Sequence, residues 1–288
     1  MNKHITDQND DQISLEEVIN KINDLPSLPE VALEMLSDLE NEDISLDTMV
    51  EKVTMDQALA AKVLKLANTS YYGANSKVVT IQQAVSLLGT THTKNLIRTT
   101  IFTHHLPIAR CEGFDNKAYW RHNIATAICA EIISRTLHMK HDFAFTAGLM
   151  HDIGRLVLVV KFPKKYEQVI QCSKDNDCSL LDAERSILGV DHVAAGLILA
   201  LQWNFADAIQ DAIRGHHAPD DKELNSLASI VHVANAIVHA LDLSESEEEL
   251  VPPISQFAWD LLGLNEEAYL SIFHETELRF ESMNQILH

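Results

Sequence analysis

Apolar residues recur along most of this chain at intervals of three and four, the spacing that gathers them on one face of an α-helix. Ser14-Leu15-Glu16-Glu17 has capping-box spacing, so a helix starts there and stops before Asp24-Leu25-Pro26. Ser27-Leu28-Pro29 opens the next, whose stripe is Val31, Leu33, Met35, Leu36 and Leu39. Ser45 and Asp56 are N-cap residues for two more. After Asp56, Leu59, Val63, Leu66 and Ala67 share a face while Lys62 and Lys65 stay polar. Thr80 caps a helix over residues 81–88, and Gly89 supplies a left-handed stop.

A longer helix is predicted over residues 114–137. It carries His122 with Ala118, Ala125 and Cys129 at i−4, i+3 and i+7, so this imidazole projects from a stripe of small apolar residues and is expected to be buried. Asp142 opens a helix expected to carry His151 and Asp152, Pro163 opens another, and residues 179–188 form a third. Asp191 caps a helix bearing His192 above Ala195, Gly196 and Leu199, and Gly196 permits close approach of a neighbouring helix. Residues 205–213 are amphipathic and end in Gly215-His216-His217-Ala218-Pro219, a loop that presents two adjacent imidazoles. The helix over residues 227–241 holds His232, Asn235 and His239. An acidic run, Glu245-Ser246-Glu247-Glu248-Glu249, and then Pro252-Pro253 separate it from two final helices over residues 255–262 and 266–287. No strand alternation or fixed-period repeat is present, so the fold class is all-α.

With 288 residues, 46% of them hydrophobic, the chain can bury a substantial core, and one body with two lobes is expected. Lys and Arg number 22 against 42 Asp and Glu, and the resulting charge of −20 repels phosphate backbones and anionic membranes at long range. Nucleic-acid and membrane partners are therefore disfavoured. Cys111, Cys129, Cys172 and Cys178 show no paired C-x-x-C spacing, residues 1–12 are a polar, disordered lead-in without an apolar leader core, and no apolar run is long enough to span a bilayer. A cytoplasmic location is expected.

The chemistry sits in His122, His151, Asp152, His192, His216 and His217, each on an apolar helix face or at a helix end. Imidazole and carboxylate together suit Fe, Mn, Ni or Zn, and helical bundles commonly assemble such ligands from several helices. None of the six pairs at i, i+4 on one helix, so hydrogen-bonded core histidines are the competing reading. His104, His105, His138 and His141 are expected at the surface, Asp56 as a cap, and Asn68 as a side chain bonded to backbone near a helix end.

Trp120-x-His122, Gly148-Leu149-Met150-His151-Asp152-Ile153-Gly154, His192-x-x-x-Gly196, Trp203 and His216-His217 resemble, in that order, the HD superfamily and most of all its HD-GYP branch. In that branch the matching His and Asp residues ligate metal ions that activate water for hydrolysis of cyclic di-GMP. Leu25-Pro26-x-Leu28-Pro29, Asp56-x-x-Leu59-Ala60-x-Lys62-Val63-Leu64-x-Leu66-Ala67-Asn68 and Ile81-x-x-Ala84-Val85-x-x-Leu88-Gly89 resemble the HDOD family. That resemblance implies a bacterial signalling or output module, generally regarded as non-catalytic. It implies a lead-in over residues 1–12, a helical lobe over 13–108, an HD-like lobe over 109–244, and an acidic linker with terminal helices over 245–288. The expected partner is a signalling protein or a small ligand.

Departures from the enzyme pattern are specific. Asn235 stands where HD enzymes place their last acidic ligand, Ala118 where HD-GYP enzymes place a Glu, and Arg155 where a Lys is usual; residues 218–222 lack the Gly-Tyr-Pro signature. Fewer carboxylates hold two cations less well. The resemblance therefore implies a degenerate site with no catalytic residue, holding at most one divalent transition metal, with Arg155 as a phosphate or ligand contact. A metal-dependent phosphohydrolase acting on a nucleotide or cyclic dinucleotide is the alternative.

Overall fold

The computed structural model describes residues 12–23, 30–39, 44–73, 77–139, 143–221, 224–246 and 250–285. The lead-in through residue 11, both Leu-Pro pairs, His141, Asp142, Lys222 and residues 247–249 lie outside them. Gln12, assigned to the lead-in, is ordered instead: its side-chain amide donates to Ser186 O, and Ile13 N donates to Leu188 O.

The described residues are helical and contain no strand. The first half runs α1 (Leu15–Asn23), α2 (Glu30–Leu39), α3 (Leu46–Thr54), α4 (Gln57–Ala67), a 3-10 turn (Ser70–Tyr72) and α5 (Ile81–His105). The second half runs α6 (Asn116–Thr136), α7 (Ala144–Met150), α8 (Ile153–Lys161), α9 (Pro163–Asn176), α10 (Leu180–Leu188), α11 (His192–Gln202), α12 (Asp207–Gly215) and α13 (Ser226–Ala240). It closes with α14 (Gln256–Leu262) and α15 (Glu266–Asn284).

Helix starts follow side-chain chemistry. Ser45, Asp56, Thr80, Ser179 and Asp191 each accept from a backbone N–H of the first turn, satisfying donors that have no partner within the helix. Asn68 uses its whole amide: Nδ2 donates to Leu64 O and Val78 O while Oδ1 accepts from Val78 N, which ties the end of α4 to the approach to α5. Gly89 has φ +74°, as a left-handed stop requires, but helical geometry resumes at once, so it is a kink within α5 rather than its end.

α6 is the axis of the second half, with α7, α13 and α15 packed around it. Nearly every residue from Ala118 to Ser134 is buried, so the polar members of that run, His122 among them, must be satisfied inside the protein. α8 packs on α11 and α9 on α10, while α1 against α11 and α5 against α7 join the two halves around one connected apolar core. α15 adds a polar rivet: Arg279 pairs with Glu131 of α6, and Arg135 of α6 pairs with Glu275.

His151 and Asp152 differ from expectation. They do not lie within one helix, because α7 ends at Met150 and α8 begins at Ile153, and the pair occupies the corner between them. Glycines on either side explain the break. A Cβ on Gly148 would come 2.7 Å from Ala127 Cα of α6, and one on Gly154 would overlap the His192 carbonyl of α11. Each short helix is thereby pressed against a different neighbour, a geometry that one straight helix cannot satisfy. Gly196, anticipated as a close-contact position, faces Gly154 in that crossing.

Candidate metal centre

Four chain segments bring the six candidate ligands together. His122 comes from the middle of α6, His151 and Asp152 from the α7–α8 corner, His192 from the first turn of α11, and His216 and His217 from the end of α12. All but His217 are buried. They form two groups of convergent donor atoms, His122/His151/Asp152 and Asp152/His192/His216/His217, with Asp152 common to both. Nε2 of His122 lies 3.3 Å from that of His151. Nε2 of His192 lies 3.3 Å from that of His216 and 2.9 Å from that of His217. Asp152 Oδ1 stands between the groups, 3.7 Å from His151 Nε2, 3.5 Å from His192 Nε2 and 3.4 Å from His216 Nε2.

The outer hydrogen bonds decide what those inner nitrogens present. A carbonyl can only accept, so His151 Nδ1 donates to Gly148 O and His216 Nδ1 donates to Ile213 O, both at 2.8 Å. Each Nε2 therefore faces inward with a lone pair. His192 is oriented by Glu184 of α10, whose Oε2 lies 2.6 Å from His192 Nδ1 and also accepts from the His192 backbone N–H at 2.8 Å. Tyr166 Oη of α9 donates to the other oxygen of Glu184 at 2.7 Å. Carboxylate or carbonyl support behind an imidazole is the usual outer layer of a metal site.

Charge states follow from burial and neighbours. Burial first, then the adjacent His216 and His122, lowers the His151 imidazole to about 3 despite the opposing pull of Asp152, so it is neutral and ligand-competent at neutral pH. Burial, with His216 and His192 nearby, also drives His217 far below the ordinary histidine range. For His192 burial is the largest influence and opposes charge, but Glu184 and then Asp152 outweigh it and raise the imidazole to about 9. Burial favours the neutral acid of Asp152, yet His151, His216 and His192 hold it well below the usual carboxylate range.

The residues fit a metal. Nε2 atoms 2.9–3.3 Å apart need a proton or a cation between them, and the raised His192 imidazole supplies the proton on its side of the cluster. Asn235, 3% exposed on α13, leaves Oδ1 without a hydrogen-bond partner within the protein, a donor-seeking atom beside the cluster. A cavity of about 380 Å³ opens onto this face, within the size range of small-molecule sites. Asp152, His192, His217, Asn235 and Arg155 are among its polar lining residues, and Leu180, Leu181, Val251 and Pro252 among its apolar ones. The Arg155 guanidinium sits 5.6 Å over the Phe114 ring. Ala118, one turn before His122, is buried and contributes no donor, as its residue type requires.

Several contributors were not anticipated. Glu184 is fully buried on the apolar face of α10, in line with Leu180 and Leu188, and a carboxylate on such a stripe was the available signal. His232 donates from Nδ1 to His216 O at 2.7 Å and accepts the Ser255 N–H at Nε2 at 2.9 Å, linking a ligand-bearing corner to the segment before α14. His104, His105 and His138 are exposed, as expected.

An HDOD domain model matches residues 25–219, and the chain belongs to the HDOD family. It is 28% identical over 243 residues to an uncharacterized protein of Treponema pallidum (strain Nichols), covering 82% of this chain and 46% of that one, so it spans about half the length of this curated relative. Among solved structures it is similar to a candidate phosphohydrolase from Shewanella amazonensis SB2B, at 25% identity and TM-score 0.73 over 94% of this chain and 98% of the other. It is also similar to a candidate signal transduction protein from Marinobacter aquaeolei VT8, at 26% identity and TM-score 0.74 over 94% of this chain and 60% of the other. An HDOD domain protein of unknown function from Geobacter sulfurreducens shares the fold at 23% identity and TM-score 0.71, over 91% and 89% of the two chains. Among the described residues no helix is long and apolar enough to cross a membrane.

Proposed function

We propose that this chain is a regulatory HDOD module that holds divalent transition metal in its HD-like site and senses a small phosphate-bearing ligand there without turning it over. The observation that carries this reading is the convergence of two ligand groups on one shared carboxylate, Asp152, with orienting hydrogen bonds already in place behind His151, His192 and His216. One aspartate among five imidazoles offsets little cationic charge, so a loaded site is strongly positive despite the acidic surface. Arg155 at the cavity wall adds to that field, which suits an anionic ligand. Imidazole-rich donors favour borderline cations such as zinc or nickel over magnesium. When bound, metal supplies Lewis acidity toward phosphate oxygens.

The same cavity supports a second reading, metal-dependent phosphohydrolase, because bound metal and Arg155 would face one ligand phosphate. Ala118 and Asn235 weigh against it, since each withholds a carboxylate. The test is element-resolved metal content of protein purified without chelator, beside a His151→Ala/Asp152→Ala double variant. Stoichiometric metal lost in the variant supports the proposal, and metal-free wild type overturns it. Phosphate-ester turnover by the loaded wild type selects the hydrolase, while phosphate binding without turnover selects the sensor.

A further inference from the structure

The corner between α9 and α10 holds two of the four cysteines. Asp177, at φ +50°, ends α9 in the left-handed conformation, and the Cys178 backbone N–H then donates to Ser173 O at 3.2 Å, folding the chain back over the last turn of the helix. Ser173 Oγ donates to Cys178 O at 2.7 Å, so Cys178 is tied to the helix end by both of its backbone polar groups. In this kind of helix stop the residue after the turn packs against a side chain of the preceding turn. Here the two are Cys178 and Cys172. The Cys178 thiol lies 4.0 Å from Cys172 O and within hydrogen-bonding reach of Cys172 Sγ.

That contact is ordinarily made by aliphatic side chains, and two cysteines fill the same space with atoms that can bond. Both are half-buried and free. Asn176 Nδ2 donates to Cys172 Sγ at 3.4 Å. The other two cysteines are placed differently: Cys129 is fully buried on α6, and Cys111 Sγ donates to Pro163 O at the opposite end of α9. Cys178 also begins the stretch Cys178 to Asp182, every residue of which lines the cavity, and Ser179 within it caps α10, the helix that carries Glu184 behind His192.

We propose that Cys172 and Cys178 are a reversible redox pair, a dithiol that a hydroperoxide converts to a disulfide clamping the cavity-lining start of α10 to the end of α9. Cys172, as thiolate, attacks one oxygen of hydrogen peroxide; the O–O bond breaks, the departing hydroxide takes up a proton as water, and the sulfur becomes a sulfenic acid. Cys178 loses its proton and attacks that sulfur, the S–S bond forms, and the hydroxide expelled takes up a proton as a second water. Two thiols and one peroxide thus give one disulfide and two waters, the sulfurs losing the two electrons that the peroxide gains. Burial, and then the neighbouring Cys172, raises the Cys178 thiol above its ordinary range, so the resting pair presents a protonated thiol to the cavity. A dithiol returns the disulfide to the reduced state by exchange. None of this depends on the metal reading above.

The test treats full-length, chelated and fully reduced protein with stoichiometric hydrogen peroxide. The expected result is a fall in free thiols from four to two, loss of the mass of two hydrogens from the monomer, and a proteolytic fragment linking Cys172 to Cys178, all reversed by dithiothreitol. Cys111→Ser should retain the disulfide, while Cys172→Ser and Cys178→Ser, which keep a small polar side chain, should each lose it. The amides of residues 178–182 are expected to exchange hydrogen more slowly in the oxidised protein, because the cross-link restrains the start of α10. Four remaining thiols, disulfide-linked dimers, or sulfinic acid without an S–S bond overturn the redox pair. A disulfide that leaves those amides unchanged overturns the clamp on the cavity wall.

Discussion

The Glu184 carboxylate and the His192 imidazole meet at 2.6 Å in the interior, with no solvent reaching Glu184 and almost none reaching His192. Glu184 belongs to α10 and does not touch the cluster's inner face, yet it determines which nitrogen of His192 points there. Replacing it with glutamine keeps the volume and removes the charge. Metal affinity is expected to fall by about 10–100-fold in Glu184→Gln, measured by competitive chelator titration. Glu184→Ala leaves Tyr166 Oη and His192 Nδ1 without their partner and is expected to cost about 3–5 kcal/mol in denaturant unfolding.

Gly154 predicts a packing failure. A methyl group there would enter the His192 carbonyl and also crowd the Gly196 amide. Gly154→Ala is expected to push α8 off α11, lower stability by at least about 1–3 kcal/mol and displace His192 from the cluster. A thermal melt and metal analysis of the purified variant read both effects; an unchanged melting temperature would contradict the backbone contact.

His232 predicts a local effect. It holds His216 O with one nitrogen and Ser255 N with the other. In His232→Ala the segment from residue 250 to 255 loses an anchor, so its amides are expected to exchange hydrogen faster while the α6 amides do not change. The expected cost is about 1–3 kcal/mol, from one buried and one partly buried hydrogen bond.

His92 provides a pH dependence away from the metal centre. Burial, and then the Arg279 charge, lowers its imidazole below the ordinary 6.5. The unfolded chain therefore takes up a proton as pH falls through 6.5 while the folded chain still excludes it. Stability is expected to be fully present above that pH and to decline below it. Denaturation midpoints of chelated protein from about pH 7.5 to about pH 5 measure this, and His92→Gln should flatten the slope.

Chelation predicts a change in global stability, because metal bound only by the folded state adds free energy by mass action. At free metal about 100-fold above the dissociation constant this is about 2.7 kcal/mol. A chelator is expected to lower the melting temperature of wild type and leave that of His151→Ala/Asp152→Ala unchanged.

Helices and their caps were legible in the sequence because they depend on neighbours within four residues: Ser45, Asp56, Thr80 and Asp191 each act on the first turn that follows them. The six candidate ligands were legible as polar side chains on apolar faces and through resemblance to known motifs. What escaped depends on how helices approach one another. The continuous helix expected through His151 and Asp152 breaks because Gly148 and Gly154 admit α6 and α11 at two different angles. Glu184 looked like an ordinary helix residue, since nothing within a few positions of it reveals an imidazole across the core. The sequence by itself therefore determined an all-α chain with imidazoles and an Asp placed on apolar helix faces or at helix ends. Only the tertiary structure decided that Asp152 is shared between two groups and that Glu184 aims His192, because those relations are set by contacts between separate helices.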